Sequence, residues 1–277
     1  MTPFLLEVFK EAAMEYRIGN EKMTPQQIEQ YLHRLQIEGQ TQANLETLQK
    51  LQQQHLLHIP YENLDSMAGR ITSLNHEDLF QKLIVRRRGG ICFELNGLYA
   101  WLLESLGYSV TNYAARFISK EDPVQMRRHR VMVVTLDGNR YLTDVGVNQE
   151  SCRIPLLLEE DLVQSDGISE YKLTKDPFWG WLLWQRLQGH DWKRIYGFTE
   201  EPQLDIDYVM PCIFCDLHPA SPINKYYKVS IFMPEASIRI WDDQLIVFAE
   251  GGEQSKQRVL PKDLSDLLYK HFGIERT

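Results

Sequence analysis

Read for its apolar positions, the chain changes period once, near Tyr108. Before that point apolar residues recur three and four apart, the spacing of one helical face. This predicts helices over PQQIEQYLHRLQ (25–36), TQANLETLQKLQQQHLLHI (41–59), HEDLFQKLIVRRR (76–88) and ICFELNGLYAWLLESLGY (91–108). Leu45, Leu48 and Leu51 share a face in the second; Leu95, Leu98, Leu102 and Leu106 do so in the fourth. Pro60 makes PYENLD a loop, and Gly89-Gly90 and Gly107 end two of the helices. The first twenty residues, MTPFLLEVFKEAAMEYRIGN, show the same spacing and predict an amphipathic helix docked on the body. They have no basic start and no continuous apolar block, so they do not read as a secretory signal.

Beyond Tyr108 the period is two. SVTNYAARFI, RVMVVTL, RYLTDVGV, YKLTKD, GWLLWQRL and WKRIYGF predict strands. LDIDYVMPCIFCDLHPASP reads as irregular or short-helical. KYYKVSIFMP, ASIRIWD and QLIVFAEG are strands again, and PKDLSDLLYKHFGI closes as a helix with Pro261 near its start. The fold class expected is α+β. A helical bundle over 1–110 leads to a strand-rich body over 111–211 and a smaller mixed unit over 212–277.

Composition narrows the function classes. At 277 residues, 43% apolar and 25% charged, the chain is an ordinary soluble globular protein with room for two or three domains. A net charge of −8 argues against a nucleic-acid partner. No apolar run approaches the roughly 18 residues of a membrane span, so no membrane partner is expected. Four cysteines in this length make no disulfide framework, and a cytoplasmic location is expected.

The candidate chemistry starts at RGGICFELNG, 88–97. Cys92 follows two glycines and opens a helix. Unpaired N–H groups and the positive helix end favour an anion there, which predicts a lowered thiol pKa. The glycines allow close approach of another molecule. A buried core thiol is the other reading. A nucleophilic thiol needs a base, and the base an orienter. His129 leads the strand HRVMVVTL, which turns at Asp137-Gly138, a favoured two-residue hairpin turn. With that turn Leu136 faces Asn139, and Val131 faces Asp144. His129 then shares a sheet face with Asp144, one diagonal away. A solvated strand-end histidine and an edge carboxylate remain open as readings of these two residues taken singly.

With these residues in place the sequence resembles the arylamine N-acetyltransferases. The family signature R-G-G-x-C-F-E-x-N-G appears as RGGICFELNG, and its I-P-F-E-N-L-D loop as IPYENLD, 59–65. Its histidine-led strand appears as HRVMVV and its aspartate segment as YLTDVG. The similarity runs from about Tyr31 to the C-terminal FGI. It implies a triad of Cys92, His129 and Asp144 in a cysteine-protease-like core. It also implies an N-terminal helical bundle, a central β-barrel and a C-terminal α/β lid. The implied reaction is ping-pong acetyl transfer from acetyl-CoA, through a thioacetyl enzyme, to small aromatic amines, hydrazines or hydroxylamines, as in xenobiotic metabolism. Phe93, Gly146, Val147, Asn148 and Ser221 are the cleft candidates, and no metal is implied. A Cys-His-Asp amidase or peptidase, or a non-catalytic binder of CoA or small aromatics, is the alternative.

The chain departs from the family in places. Where a glycine-rich run usually follows Asp-Val-Gly, it has Val147-Asn148-Gln149-Glu150, and Glu150 is expected to repel CoA phosphates. Ile223 stands where the family often has Phe, and the segment before about residue 24 is an extension. Cys212 and Cys215 form a C-x-x-C without a second half-site, which reads as two packed thiols. Arg86-Arg87-Arg88 reads as a solvated run rather than a CoA-phosphate site. Glu62 and Asn63 read as fixing their loop near the site. Trp179, Trp181 and Trp184 read as packing residues.

Overall fold

The computed structural model describes residues 21–39, 41–119, 124–148, 150–249 and 252–275. The helix expected over the first twenty residues, and Gln149, lie outside them. Among the described residues no helix is long and apolar enough to cross a membrane.

The helices begin where their caps dictate. Thr24 and Gln27 form a reciprocal capping box ahead of Pro25–Arg34. Asn44 accepts the Thr47 N–H at 2.8 Å and opens Leu45–His58. That helix buries Leu48, Leu51, Gln52, His55 and Leu56, the three-and-four spacing of a single face. The next predicted helix is shorter than its pattern. His76–Phe80 passes into a π turn over Gln81–Val85, and Arg87 lies beyond it at φ +53°. The three arginines are therefore outside the helix. The wider turn leaves Lys82 nearly buried, against Asp65 and Glu94.

The Cys92–Ser105 helix is the centre of the molecule. Every residue from Cys92 to Leu103 is buried, so it has no solvent face and no single apolar stripe. It packs between the other helices and the strands that follow it.

Those strands form an eight-stranded antiparallel sheet. In chain order they are β2 (Ser109–Phe117), β3 (His129–Leu136), β4 (Asn139–Thr143), β5 (Leu156–Leu157), β6 (Gln164–Ser165), β7 (Ser169–Asp176), β8 (Gly180–Leu187) and β9 (Lys193–Pro202). The spatial order is β5-β4-β3-β2-β9-β8-β7-β6. It curls into a nearly closed barrel whose two edges are joined by one side chain. Gln164 accepts the Leu157 N–H at 2.8 Å and donates to the Leu157 carbonyl at 3.0 Å. Strand β3 is buried on both faces. Val131 and Val133 point into the barrel core with Trp181, Tyr196 and Phe198, while Met132 and Val134 join the helical core. A run of apolar residues, rather than strict alternation, is what such a strand requires.

A second antiparallel sheet holds β1 (Tyr61–Glu62), β10 (Lys228–Phe232), β11 (Ala236–Trp241), β12 (Gln244–Ala249) and β13 (Gly252–Arg258), in that order. Leu264–Phe272 packs on it through Leu264, Leu268 and Phe272 and ends at Gly273, in the left-handed conformation. The helix starts at Leu264, after a turn at Pro261. Strand β13, GEQSKQR, carries no apolar alternation and was not expected; it is an exposed edge strand. Strand β1 fastens this sheet to the Cys92 loop, because the Glu62 N–H donates to the Gly90 carbonyl at 3.0 Å.

Candidate active site

Three segments converge on Cys92. The first is its own loop and helix. Gly89 and Gly90 are required by contacts within the protein rather than with a ligand. A Cβ on Gly89 would lie 2.0 Å from the Pro60 carbonyl, and one on Gly90 2.6 Å from the Glu94 carboxylate. Glu94 in turn accepts the Ile91 N–H at 2.9 Å, capping the helix that Cys92 begins.

Beneath this loop lies a buried ionic chain. Arg88 pairs with Glu62 at 2.6 Å, and Lys82 bridges Asp65 and Glu94 at 2.6 Å each. Burial works against the Lys82 charge, but Glu94, Glu62 and Asp65 outweigh it and hold the ammonium above its ordinary value. Burial pushes Glu94 up to about 7. The Lys82 direction governs the pair, because this one cation faces carboxylates on two sides. Asn63 donates to the carbonyls of Ile223 at 2.5 Å and Tyr226 at 2.7 Å and accepts the Lys228 N–H at 2.8 Å. Glu62 and Asn63 thus tie the loop to both neighbours. Arg88 is no solvated residue: the arginine run divides, with Arg86 and Arg87 exposed.

The second segment is the β3–β4 hairpin. Asp137 and Gly138 both have positive φ, as a type I′ turn needs, and Leu136 pairs with Asn139. The register runs to Met132 opposite Thr143, where β4 ends. One step further, His129 Nε2 donates to Asp144 Oδ2 at 2.7 Å. With that nitrogen protonated, Nδ1 is left with a lone pair, and it is buried with no hydrogen-bond partner among the described residues. Phe117 at 4.7 Å and Tyr196 at 5.1 Å hold the ring between them.

The residue that joins the two segments is Asn96, one turn below Cys92. Its amide donates to the Arg130 carbonyl at 2.6 Å and to Asp144 Oδ1 at 2.8 Å, and accepts the Val145 N–H at 2.9 Å. Sequence reasoning passed over it; its position four residues after the thiol, on the same helix face, was the signal available.

The third segment is the loop after Asp144. A Cβ on Gly146 would lie 2.8 Å from Cys92 Cα, so only glycine lets this loop rest on the thiol's backbone. The Gly146 N–H donates to Asp144 at 2.8 Å and the Val147 N–H to Ser151 Oγ at 3.0 Å. Val147 anchors in the barrel core. Glu150 pairs with Lys193 at 2.9 Å, so the repulsion expected from its charge is largely compensated.

Cys92 itself is 7% exposed. Burial pushes its thiol up, and Cys215 and Asp144 add to this; a backbone hydrogen bond from Arg130 and the Arg128 guanidinium oppose it without prevailing. Burial thus works against the lowered thiol that the helix start leads one to expect. A thiolate here needs a partner that takes its proton. The Sγ lies 3.7 Å from the Arg128 carbonyl.

Cys92 opens onto a cavity of about 740 Å³ between the barrel and the second sheet. Gly146, Val147 and Asn148 line it. Phe93 and Ser221 do not: Phe93 is fully buried against Tyr208 at 5.8 Å, and Ser221 donates to the Cys215 carbonyl at 2.7 Å. Ser221 acts from behind, accepting the N–H of Ile223, which does reach the cavity. Cys212 and Cys215 are buried in the same apolar cluster as Cys92, and among the described residues no group of side chains is arranged to hold a metal. A larger groove of about 1160 Å³ lies over Asp65, Lys82 and Arg88 and does not reach Cys92.

Comparison with known proteins identifies the family. The N-acetyltransferase family model matches residues 44–277. The arylamine N-acetyltransferase of Mycobacterium tuberculosis is 33% identical over 250 residues, 88% of each chain. Among solved structures, that of the Salmonella typhimurium arylamine N-acetyltransferase superposes with a TM-score of 0.85 at 28% identity, covering 91% of this chain and 92% of its own. The Mycobacterium marinum enzyme in complex with CoA gives 0.84 at 30% identity, covering 89% and 92%. With the family model spanning most of its length and relatives a third identical across nearly all of it, this chain belongs to the arylamine N-acetyltransferase family and is an acyltransferase.

Proposed function

We propose that the protein transfers an acetyl group from acetyl-CoA to small aromatic amines, hydrazines or, on oxygen, hydroxylamines, through a thioacetyl form of Cys92. The observation that carries this reading is His129: one ring nitrogen is committed to Asp144 and the other is buried, with no hydrogen-bond partner among the described residues. A buried polar atom left so is costly unless a proton or a reacting group is to occupy it.

Sγ gives its proton to His129 Nδ1 and attacks the thioester carbonyl carbon. An Sγ–C bond forms, the C–S bond to CoA breaks, and the departing sulfur takes up the proton. The acceptor amine then attacks the thioacetyl carbon. An N–C bond forms, the C–Sγ bond breaks, and the amine's proton returns through His129 to Sγ. Asp144 holds the tautomer and stabilises the imidazolium, and Asn96 and the Gly146 N–H hold Asp144. The Cys92 N–H, at the open helix end, is a donor for the developing oxyanion. The N–H groups of Gly146 and Val147 are already committed within their loop. The division into 1–110, 111–211 and 212–277 fits these roles: the first part supplies the thiol, the second the base and its orienter, the third the far cavity wall.

The test is incubation with acetyl-CoA and no amine, followed by intact and peptide mass measurement. An acetyl increment on Cys92 with release of free CoA is expected. Transfer that proceeds with no such adduct, or that persists in Cys92→Ala, contradicts the reading. Hydrolysis of amides without CoA points to an amidase instead.

A further inference from the structure

One apolar face has no partner among the described elements. The chain after Leu204 makes a 3₁₀ turn over Asp205–Tyr208 that runs into the helix Val209–Leu217. The inner side of this stretch is packed: Tyr208, Cys212 and Cys215 belong to the apolar cluster of Ile91, Cys92 and Phe93. The outer side is not. Leu204 is 72% exposed and Met210 81%, and Ile206 and Leu217 are exposed with them. Met210 and Leu217 stand seven apart, two turns along one helix face. Single exposed apolar residues are ordinary, whereas a face of four along one stretch marks a contact surface.

Glu21 lies beside this face. Trp101 Nε1 donates to the Glu21 carbonyl at 2.6 Å, and the Met23 N–H donates to Ser105 Oγ at 2.9 Å, so the backbone is held where residue 20 joins it. The Trp101 ring stacks on His76 at 4.7 Å. His76 in turn bonds Asp205 at 3.0 Å, between Leu204 and Ile206. Glu104 lies within electrostatic reach of both Lys22 and Asp205.

The sequence ahead of Glu21 supplies a matching surface. Leu5, Val8, Phe9, Ala12 and Tyr16 fall three and four apart, one face of a helix, and Glu7, Lys10 and Glu11 fall opposite. A helix over 4–16 would be roughly 20 Å long at about 1.5 Å per residue, and the stretch 204–217 has about the same length. Gly19 and Asn20 are turn residues, which lets the segment fold back over its point of attachment. Tethered there, its effective concentration at the face is on the order of millimolar, which favours it over a second copy of the chain in dilute solution.

We propose that residues 1–20 of this chain dock, through Leu5, Val8, Phe9 and Tyr16, on the face made by Leu204, Ile206, Met210 and Leu217. The docked segment backs the stretch whose inner side carries Cys215 in the cavity wall, and so supports that wall from outside. The inference does not depend on the acyltransferase reading of the cavity.

Hydrogen exchange read by mass spectrometry compares the full chain with one lacking residues 2–20 and with full-length Phe9→Asp, which carries the test if the truncated chain fails to fold. Amides over 204–217 are expected to exchange at least about tenfold faster in both variants, while those of the barrel strands β7 and β8 keep their wild-type rates. Thermal unfolding adds a coupling test. Ile206→Ser with Met210→Ser should lower Tm by about 2–4 °C in the full chain. With the truncation or Phe9→Asp already present, the same pair should lower it by less than about 1 °C, because the face is then already uncovered. Unchanged exchange over 204–217, or equal Tm losses in the two backgrounds, overturns the proposal. So does protection of 204–217 that rises with protein concentration and survives the truncation, since a second copy of the chain would then cover the face.

Discussion

On one wall of the cavity the polar groups are short side chains held by buried hydrogen bonds. Asn96 satisfies three partners, Asp144 accepts from His129, Asn96 and the Gly146 N–H, and of these three side chains His129 keeps one ring nitrogen, Nδ1, without a hydrogen bond among the described residues. On the facing wall the second sheet presents Lys228, Arg239, Trp241 and Gln244, long side chains with few fixed partners. The Arg239 guanidinium lies 4.2 Å over Phe248 while its Nε has no hydrogen bond among the described residues. The first wall is tied by several buried hydrogen bonds and the second by fewer. On the proposed mechanism the first wall holds the thiol, its base and the base's orienter in place.

The comparison is broken most severely by loosening the fixed wall. Asn96→Ala removes three buried hydrogen bonds and leaves Asp144, the Arg130 carbonyl and the Val145 N–H short of partners. The expected cost is about 3 kcal/mol of stability, with kcat falling at least about tenfold in the molecules that stay folded. Denaturant unfolding and turnover at equal folded concentration measure both. An unchanged kcat would separate Asn96 from the chemistry.

A smaller effect is expected at the outer support of the same wall. Arg130 follows His129 and pairs with Asp205 at 2.7 Å, and His76 bonds the other Asp205 oxygen at 3.0 Å. Burial opposes the Asp205 charge, but the His76 hydrogen bond and Arg130 hold its carboxyl down at about 2. A carboxyl depressed on folding stabilises fully above its unfolded value of about 3.9 and loses that contribution as pH falls through the folded value. Wild type should lose up to about 2 kcal/mol from this residue between about pH 4 and pH 2, and Asp205→Asn should lack that part of the acid transition. Coincident acid profiles of the two proteins would contradict this.

The least effect is expected at Glu150, on the border between the walls. Its partner Lys193 has a side chain 63% exposed, and the pair is worth little in solvent. Glu150→Gln should change the KM for acetyl-CoA by less than about twofold. A larger fall would restore the charge repulsion that the sequence suggested and the Lys193 contact argues against.

How far the sequence could be read follows the same division. The Asp137-Gly138 turn fixes the register by itself, so the approach of His129 to Asp144 was legible from local chemistry. The end of the arginine run was not, because burial of Arg88 depends on Glu62, twenty-six residues earlier. Gly89 and Gly90 signalled close approach, but only the fold shows that the approaching groups are Pro60 and Glu94. Strand β13 has polar residues on both faces because it is an exposed edge, and periodicity has nothing to register there. Lys228 at the head of a strand reads as solvated. Its burial comes from Trp241, which β11 places directly opposite. Phe93 and Ser221 adjoin cavity residues in sequence, and their side chains point away into packing and a carbonyl contact.

The central claim is that Cys92 becomes a nucleophile only through His129, since burial alone pushes its thiol up. The pH dependence of iodoacetamide inactivation in wild type and in His129→Gln tests this most directly. A thiolate–imidazolium pair reacts near pH 6, well below the roughly 8.5 of a free thiol, whereas the buried thiol without its base should react only above that value. Wild-type inactivation at pH 6 that is abolished in His129→Gln and recovered only in alkaline solution is the expected result. Superimposable profiles for the two proteins, both rising near or above 8.5, would contradict it.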